Sequence, residues 1–167
     1  NFGGDVTIVS GNNVTLNDTG AIQFGGTSTI SGNLVVTAAG AITDGAAGTL
    51  AITGTTSLTA GAANNITLDN GNNFGGDVTI VSGNNVTLND INDLTLGAAT
   101  VSGNLSLTAD VNNDSTSTLQ IKTAISVGGS VTLSGGGTGT NDTIDIDADI
   151  TAATTLTIQN AATVDLA

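Results

Sequence analysis

Apolar residues recur along this chain in a rhythm of two set inside a rhythm of eight. Pairs of the form apolar–x–apolar begin at Val6, Val14 and Ile22, and Ile30 follows at the same step. A second series runs through Leu34, Ile42, Leu50, Leu58, Ile66 and Phe74; Val78, Val86 and Leu94 continue it after an offset of four. Side chains alternate between the two faces of a strand, so parity reports which face is buried. From Val6 to Leu96 nearly all strong apolar positions are even-numbered, the exceptions being Val9, Val35, Val81 and Ile91. From Val101 to Leu133 they are odd, and from Ile144 to Leu166 they are even again. A one-residue slip turns an inward face outward, so each change of parity needs a local device. The changes fall at Gly97-Ala98-Ala99 and across Ser134–Thr140. They predict a bulge or turn adjustment at the first and an inserted loop at the second.

An eight-residue step leaves about five residues of strand and about three of corner. The corners read Ser10-Gly11-Asn12-Asn13, Ala39-Gly40 and Ser82-Gly83-Asn84-Asn85. Gly and Asn tolerate the backbone of a sharp corner, and stacked coils would let corner Asn side chains bond in ladders. The block Asn1–Asp18 returns unchanged as Asn73–Asp90, an offset of 72 in the numbering. Three steps of eight make a coil of about 24 residues, and three such coils make the long repeat, so the block is expected on the same side of the coil each time. The expected fold is all-β: a right-handed parallel β-helix, about three short strands per coil, about seven coils, forming one array over residues 1–167. An antiparallel meander is the structural rival. It is disfavoured because no strand pair is joined by a clear two-residue Asn-Gly or Asp-Gly turn; Asn70-Gly71 sits in a longer polar run.

Composition narrows the picture further. The 167 residues include 24 Gly, 30 Thr and 19 Asn, but no Pro, Cys, His, Met, Trp or Tyr. Three Phe are the only aromatics, so the interior must be slim and aliphatic. The acidic residues are 14 Asp, Lys122 is the only basic residue, and the net charge is −13. That field opposes nucleic acid and anionic lipid, so neither is an expected partner. No apolar run approaches the ~20 residues of a membrane span. The chain opens on Asn rather than Met, which makes it an expected internal piece of a larger precursor. Open coil ends are exposed sheet edges, so flanking repeats or identical subunits stacked end to end are the expected partners.

The stretches Ser31–Thr43 (SGNLVVTAAGAIT) and Ser102–Ala109 (SGNLSLTA), with the DVTIVSGNNVTL block, resemble coils of filamentous haemagglutinin-type adhesins and related giant β-strand-repeat surface proteins of bacteria. The resemblance covers most of the chain in style and is specific in those stretches. It implies a secreted, rod-like shaft at the bacterial cell surface, used in adhesion, coating or filament formation, with host surface or matrix glycans as partners.

Catalytic chemistry has little to work with. Without His or Cys there is no Ser/His or Cys/His pair, and no enzyme is expected. Lys122, the one residue a sugar-cleaving β-helix would need as a base, has outward parity. Asp145, Asp147 and Asp149 alternate with Ile144, Ile146, Ala148 and Ile150 and share an outward face. As a solvated surface they do nothing chemical. As ligands they point to Ca²⁺, because Gly136–Ile144 is similar to the glycine-rich nonapeptide of calcium-binding β-rolls, in a single copy with one extra residue before Asp142. No cofactor is expected beyond this calcium option, with Asp142, Asp145 and Asp147 as its candidates. Thr-x-Thr pairs at Thr27/Thr29, Thr53/Thr55, Thr116/Thr118, Thr138/Thr140 and Thr155/Thr157 are too irregularly spaced for an ice-binding rank. Sequons at Asn13, Asn17, Asn65, Asn85, Asn104, Asn113 and Asn141 are ordinary for a chain this rich in Asn and Thr. The polar stretches Val111–Thr118 and Ser134–Thr140 break the strand rhythm and are the expected place for any binding surface. The expected function is a structural shaft of a secreted adhesin or filament; the alternatives are a calcium-stabilised surface-layer or adhesin module and a carbohydrate-binding or carbohydrate-active β-helix.

Overall fold

The fold is taken from a computed structural model, which describes residues 1–114, 116–137 and 141–167. Every strand pairing in it is parallel, so the antiparallel rival is out. The first wall stacks β1 (Val14–Asp18), β4 (Leu34–Ala38), β7 (Thr56–Thr59), β9 (Val78–Gly83), β11 (Leu94–Val101), β13 (Thr118–Ile121), β16 (Thr143–Ile146) and β19 (Thr163–Leu166). The second wall stacks β2 (Ile22–Phe24), β5 (Ile42–Asp44), β8 (Ile66–Phe74), β10 (Val86–Asp90), β12 (Leu105–Thr108), β15 (Val131–Ser134) and β18 (Leu156–Gln159). The result is a parallel β-solenoid of about seven turns.

A third wall changes place half-way. In the first coils it is β3 (Thr27–Ile30), β6 (Thr49–Ile52) and the end of β8, where Ala51 and Ile52 pair with Asn73 and Phe74. Beyond Phe74 that wall stops. The first wall then divides instead: Leu94–Leu96 of β11 pair with β13, while Ala99–Val101 pair with β14 (Ile125–Val127), which pairs on with β17 (Ile150–Ala152). Turns on either side of the change have three strands, the third supplied by a different side of the coil, whereas the turn between them holds only β9 and β10.

The interior follows the parity of the sequence. Even positions are buried from Ile22 to Leu96, odd ones from Ala99 to Leu133, and even ones again at Ile144 and Ile146. Val9, Val35 and Val81, the odd-numbered valines of the first half, are exposed. Each buried Val, Leu or Ile contributes about 1.5–3 kcal/mol, and no other term in this chain acts so uniformly. The first parity change is the expected bulge: the register of β11 on β9 shifts between Leu96 and Ala99.

The coil is not constant in length. The step in numbering is 20 from Val14 to Leu34, 24 from Ile42 to Ile66, 18 from Val78 to Leu96 and 26 from Leu105 to Val131. Strands stay short and corners absorb the difference, because only the strands carry the packed interior. This corrects the reading of the long repeat. Val14 starts β1 on the first wall, whereas its copy Val86 starts β10 on the second. The column above Val14 runs through Leu34 and Thr56 to Val78, so three coils end short of the repeat, at Val78 rather than at Val86. The duplicated block therefore lands one wall further round.

Corner Asn ladders form as expected. The Oδ1 of Asn13 accepts the Asn33 N–H at 3.0 Å, and that of Asn33 accepts the Thr55 N–H at 2.9 Å. On the next corner Asn65, Asn85 and Asn104 hand the same bond upward, ending on Ser130 N–H. Each ladder residue immediately precedes the first inward residue of a strand, so its side chain replaces a backbone acceptor where the chain turns.

Candidate functional site

The described residues of the two polar stretches singled out in the sequence lie at one corner, between the second and first walls, in adjacent coils. Asp110 sits at φ 47° and Asn113 at φ 55°, and Asn113 N–H closes a turn onto the Asp110 carbonyl at 2.9 Å. Asp110 Oδ1 accepts the Asp114 N–H at 3.1 Å, and Val111 N–H donates to the Asp90 carbonyl at 2.8 Å. In the coil above, Gly136 sits at φ 110°; a Cβ there would meet the Asp110 carbonyl oxygen. Asn160 Nδ2 donates to Ser134 Oγ at 3.1 Å. The polar groups of this corner are engaged in holding the chain's own backbone. Ser115 and Thr138–Thr140, with the Thr138/Thr140 pair and the middle of the nonapeptide, lie outside the described residues.

The calcium candidates are divided between the interior and the surface of the coil. Asp142 is fully buried and accepts the Ser117 N–H at 3.0 Å. Asp145 and Asp147 face outward, where Gln120 Nε2 donates to both, at 3.2 and 2.7 Å. Among the described residues no group of three His, Cys, Asp or Glu is placed to hold a metal ion. Lys122 points outward as expected and pairs with Asp77 at 2.6 Å, both side chains well exposed. It reaches across the coil of β11, at the level where Gly97 offers no side chain.

Buried aspartates that terminate strands are the feature sequence reasoning missed. Asp90, with no exposed surface, accepts N–H bonds from Phe74 at 2.7 Å and Asn92 at 2.7 Å. Asp18 makes the same two bonds, to Phe2 at 2.6 Å and Gly20 at 2.7 Å. In both copies the carboxylate supplies the acceptor that a further strand would have given to the Phe N–H. At Asp90 this is where the third wall ends. Burial pushes the Asp90 carboxyl up to about 6, whereas the Phe2 N–H holds Asp18 below the usual range. Asp44 is likewise raised by burial, against bonds from Asn72, Asn70 and Asp69. Asn72 itself is buried; its Oδ1 accepts the Leu50 N–H at 2.8 Å and its Nδ2 donates to Asp44 at 2.9 Å. The signal was present: Asp18, Asn72 and Asp90 are polar residues at inward, even positions.

Where the third wall stops, two shallow hollows of about 290 and 330 Å³ adjoin at Asn73 and Gly75. Phe74 and Ile52 form part of the floor, and Asp77 and Asp93 stand on one rim. The Phe74 N–H on that edge is already taken by Asp90 and the Asn72 carbonyl by Ile91 N–H at 2.9 Å, so two of the backbone groups that would pair with an incoming strand are occupied.

Residues 11–81 match a family described as repeats of unknown function (DUF5649). The match spans β1 to β9, the part of the solenoid that carries the original third wall. It fits a repeat β-helical protein. No curated protein and no solved structure matches the chain.

Proposed function

We propose that this segment is a structural shaft: a stiff, non-catalytic spacer in a secreted bacterial surface adhesin or extracellular filament. The observation that carries the reading is the first wall, one ladder of eight parallel strands. At about 4.8 Å per rung, seven steps span roughly 34 Å. Buried carboxylates and corner amides support the same reading, since they bind the chain's own N–H groups and keep the rungs in place. The adhesin and cell-surface part of the proposal comes from the resemblance of the SGNL coils.

An in-phase deletion tests it. Removing Leu34–Asp77 from the full-length protein sets Val78 in the column Leu34 occupied, since Leu34 pairs with Thr56 and Thr56 with Val78. A shaft loses two rungs, roughly 10 Å of length, and the displaying cell keeps its adhesion. Adhesion lost at unchanged surface display would place the binding site in this segment and overturn the spacer role.

A further inference from the structure

The two halves of the solenoid meet at the turn that holds β9 and β10 alone. The irregular pairings gather around it. Among the described strands, register shifts occur between β7 and β9, between β8 and β10 and between β9 and β11, and in no other pair. Each turn of a solenoid is held only by its neighbours, so a turn with fewer and less regular rungs is where local opening costs least.

Asp90 ends β10 on this turn, with no exposed surface. Its Oδ2 accepts the Phe74 N–H and its Oδ1 the Asn92 N–H, each at 2.7 Å, which ties the last residue of the third wall to the loop after β10. The elements packed against it bring acids and no cation. Asp93 lies in the same loop. Asp110 lies in the coil above, where its N–H donates to the Asn92 carbonyl at 3.1 Å. Asp44 lies in the coil beneath, where it accepts the Asn72 Nδ2 bond, and Asp69 of β8 faces outward. Lys122, the one cationic side chain, is held on Asp77. The two N–H bonds favour the ionised carboxylate, but burial outweighs them and lifts the group to about 6. A way out lies beside it: Phe74 and Asn92, the two residues it holds, both line the hollow of about 290 Å³ at the end of the third wall. Asp18 makes the same two bonds in the first copy of the block, yet there the Phe2 N–H outweighs burial and the carboxyl lies below its usual range, so the duplicate lacks this behaviour.

We propose that Asp90 is a pH-operated latch on this turn: protonated, it stays between Phe74 and Asn92 and holds the two halves together; ionised, it escapes more often into the adjoining hollow, where water solvates the charge and both N–H groups are freed. The rod is thus uniformly stiff in mild acid and gains one local hinge as pH rises towards neutrality. The size of the effect follows from proton linkage. With the carboxyl at about 6 in place and at the ordinary 3.8 once solvated, raising the pH from 5 to 7.5 multiplies the open fraction by about ten. The latch rests on the solenoid alone, not on the shaft role.

Amide hydrogen exchange of the 167-residue chain, read by NMR at pH 5 and 7.5 and corrected for intrinsic rates, tests it. The Phe74 and Asn92 amides should lose about tenfold in protection at the higher pH. Their exchange should not respond to sub-denaturing urea, since a local opening exposes little surface. Leu34 and Leu105, whose N–H groups donate to the Thr55 and Ser130 carbonyls on either side of the junction, should stay better protected than both at each pH. Asp90→Asn should make Phe74 protection equal at the two pH values, whatever its level. Equal protection of Phe74 at both pH values in the unaltered chain overturns the latch. So does Phe74 exchange as slow and as urea-dependent as that of Leu34 and Leu105, which reports whole-chain unfolding alone. A pH dependence that survives Asp90→Asn belongs to Asp93, Asp110 or Asp44 and overturns it as well.

Discussion

Thr56 offers the sharpest test of how this interior is built. It opens β7 at an inward position, 1% exposed, with Leu34 below it and Val78 above. Val14 and Leu96 continue the column, so Thr56 is its one hydroxyl. Its N–H donates to the Asp77 carbonyl at 3.0 Å, yet its Oγ1 is buried without a hydrogen-bond partner. An unsatisfied buried hydroxyl costs about 1–3 kcal/mol. Thr56→Val exchanges it for a methyl of nearly the same shape, removing that cost and adding apolar burial. The expected gain is about 1–2 kcal/mol, or roughly 2–8 °C in Tm for a domain of this size. Urea unfolding followed by circular dichroism measures it directly, with Thr59→Val at an outward position of the same strand as a control expected within about 0.5 kcal/mol. If Thr56→Val is neutral or destabilising, the hydroxyl has a partner in solution and the reasoning fails.

Asp90 should make the protein more stable in mild acid. Its folded pKa of about 6 lies above the ordinary 3.8, so the folded state binds the proton first. The stabilisation appears as pH falls through 6, is complete near 4 and is lost again as pH rises; a difference of this size corresponds to about 3 kcal/mol. Urea melts at pH 7 and 4.5 should show this, above the range where protonating Asp18 works in the opposite direction, and Asp90→Asn should flatten the profile. Carboxyl NMR that places the Asp90 titration at or below 4 would remove the effect. Leu88→Ala, at a fully buried position of β10, should cost about 2–5 kcal/mol in the same unfolding assay. Lys122→Ala breaks an exposed pair and should change stability by less than about 1 kcal/mol.

The strands and their inward faces were legible because a hydrophobic period of two survives every corner. Both parity changes, at Gly97-Ala98-Ala99 and across Ser134–Thr140, could be located from apolar residues alone. The length of each coil could not. A short corner and a long one both satisfy parity, and only the stacking of Leu105 on Val131 or Val78 on Leu96 reveals which is present. Taking every turn to be equally long put both copies of the repeated block on one wall. The loss of the third wall after Phe74 was hidden for a related reason. It depends on Asp90 taking a backbone donor 16 residues earlier, a pairing that no local pattern encodes.

The displaced copy of the repeated block also says what this architecture can inherit. Val14 and Val86 begin identical strands on different walls, each preceded by its ladder Asn and each followed by a carboxylate that seals its own edge. The transferable unit is thus a strand with its bend, not a full turn. Genetic duplication in such a shaft need not respect the helical repeat: the copied block sits one wall further round than its original, and the channel stays closed although the third wall changes place there. Length in proteins of this kind can drift freely while the hydrophobic channel stays sealed.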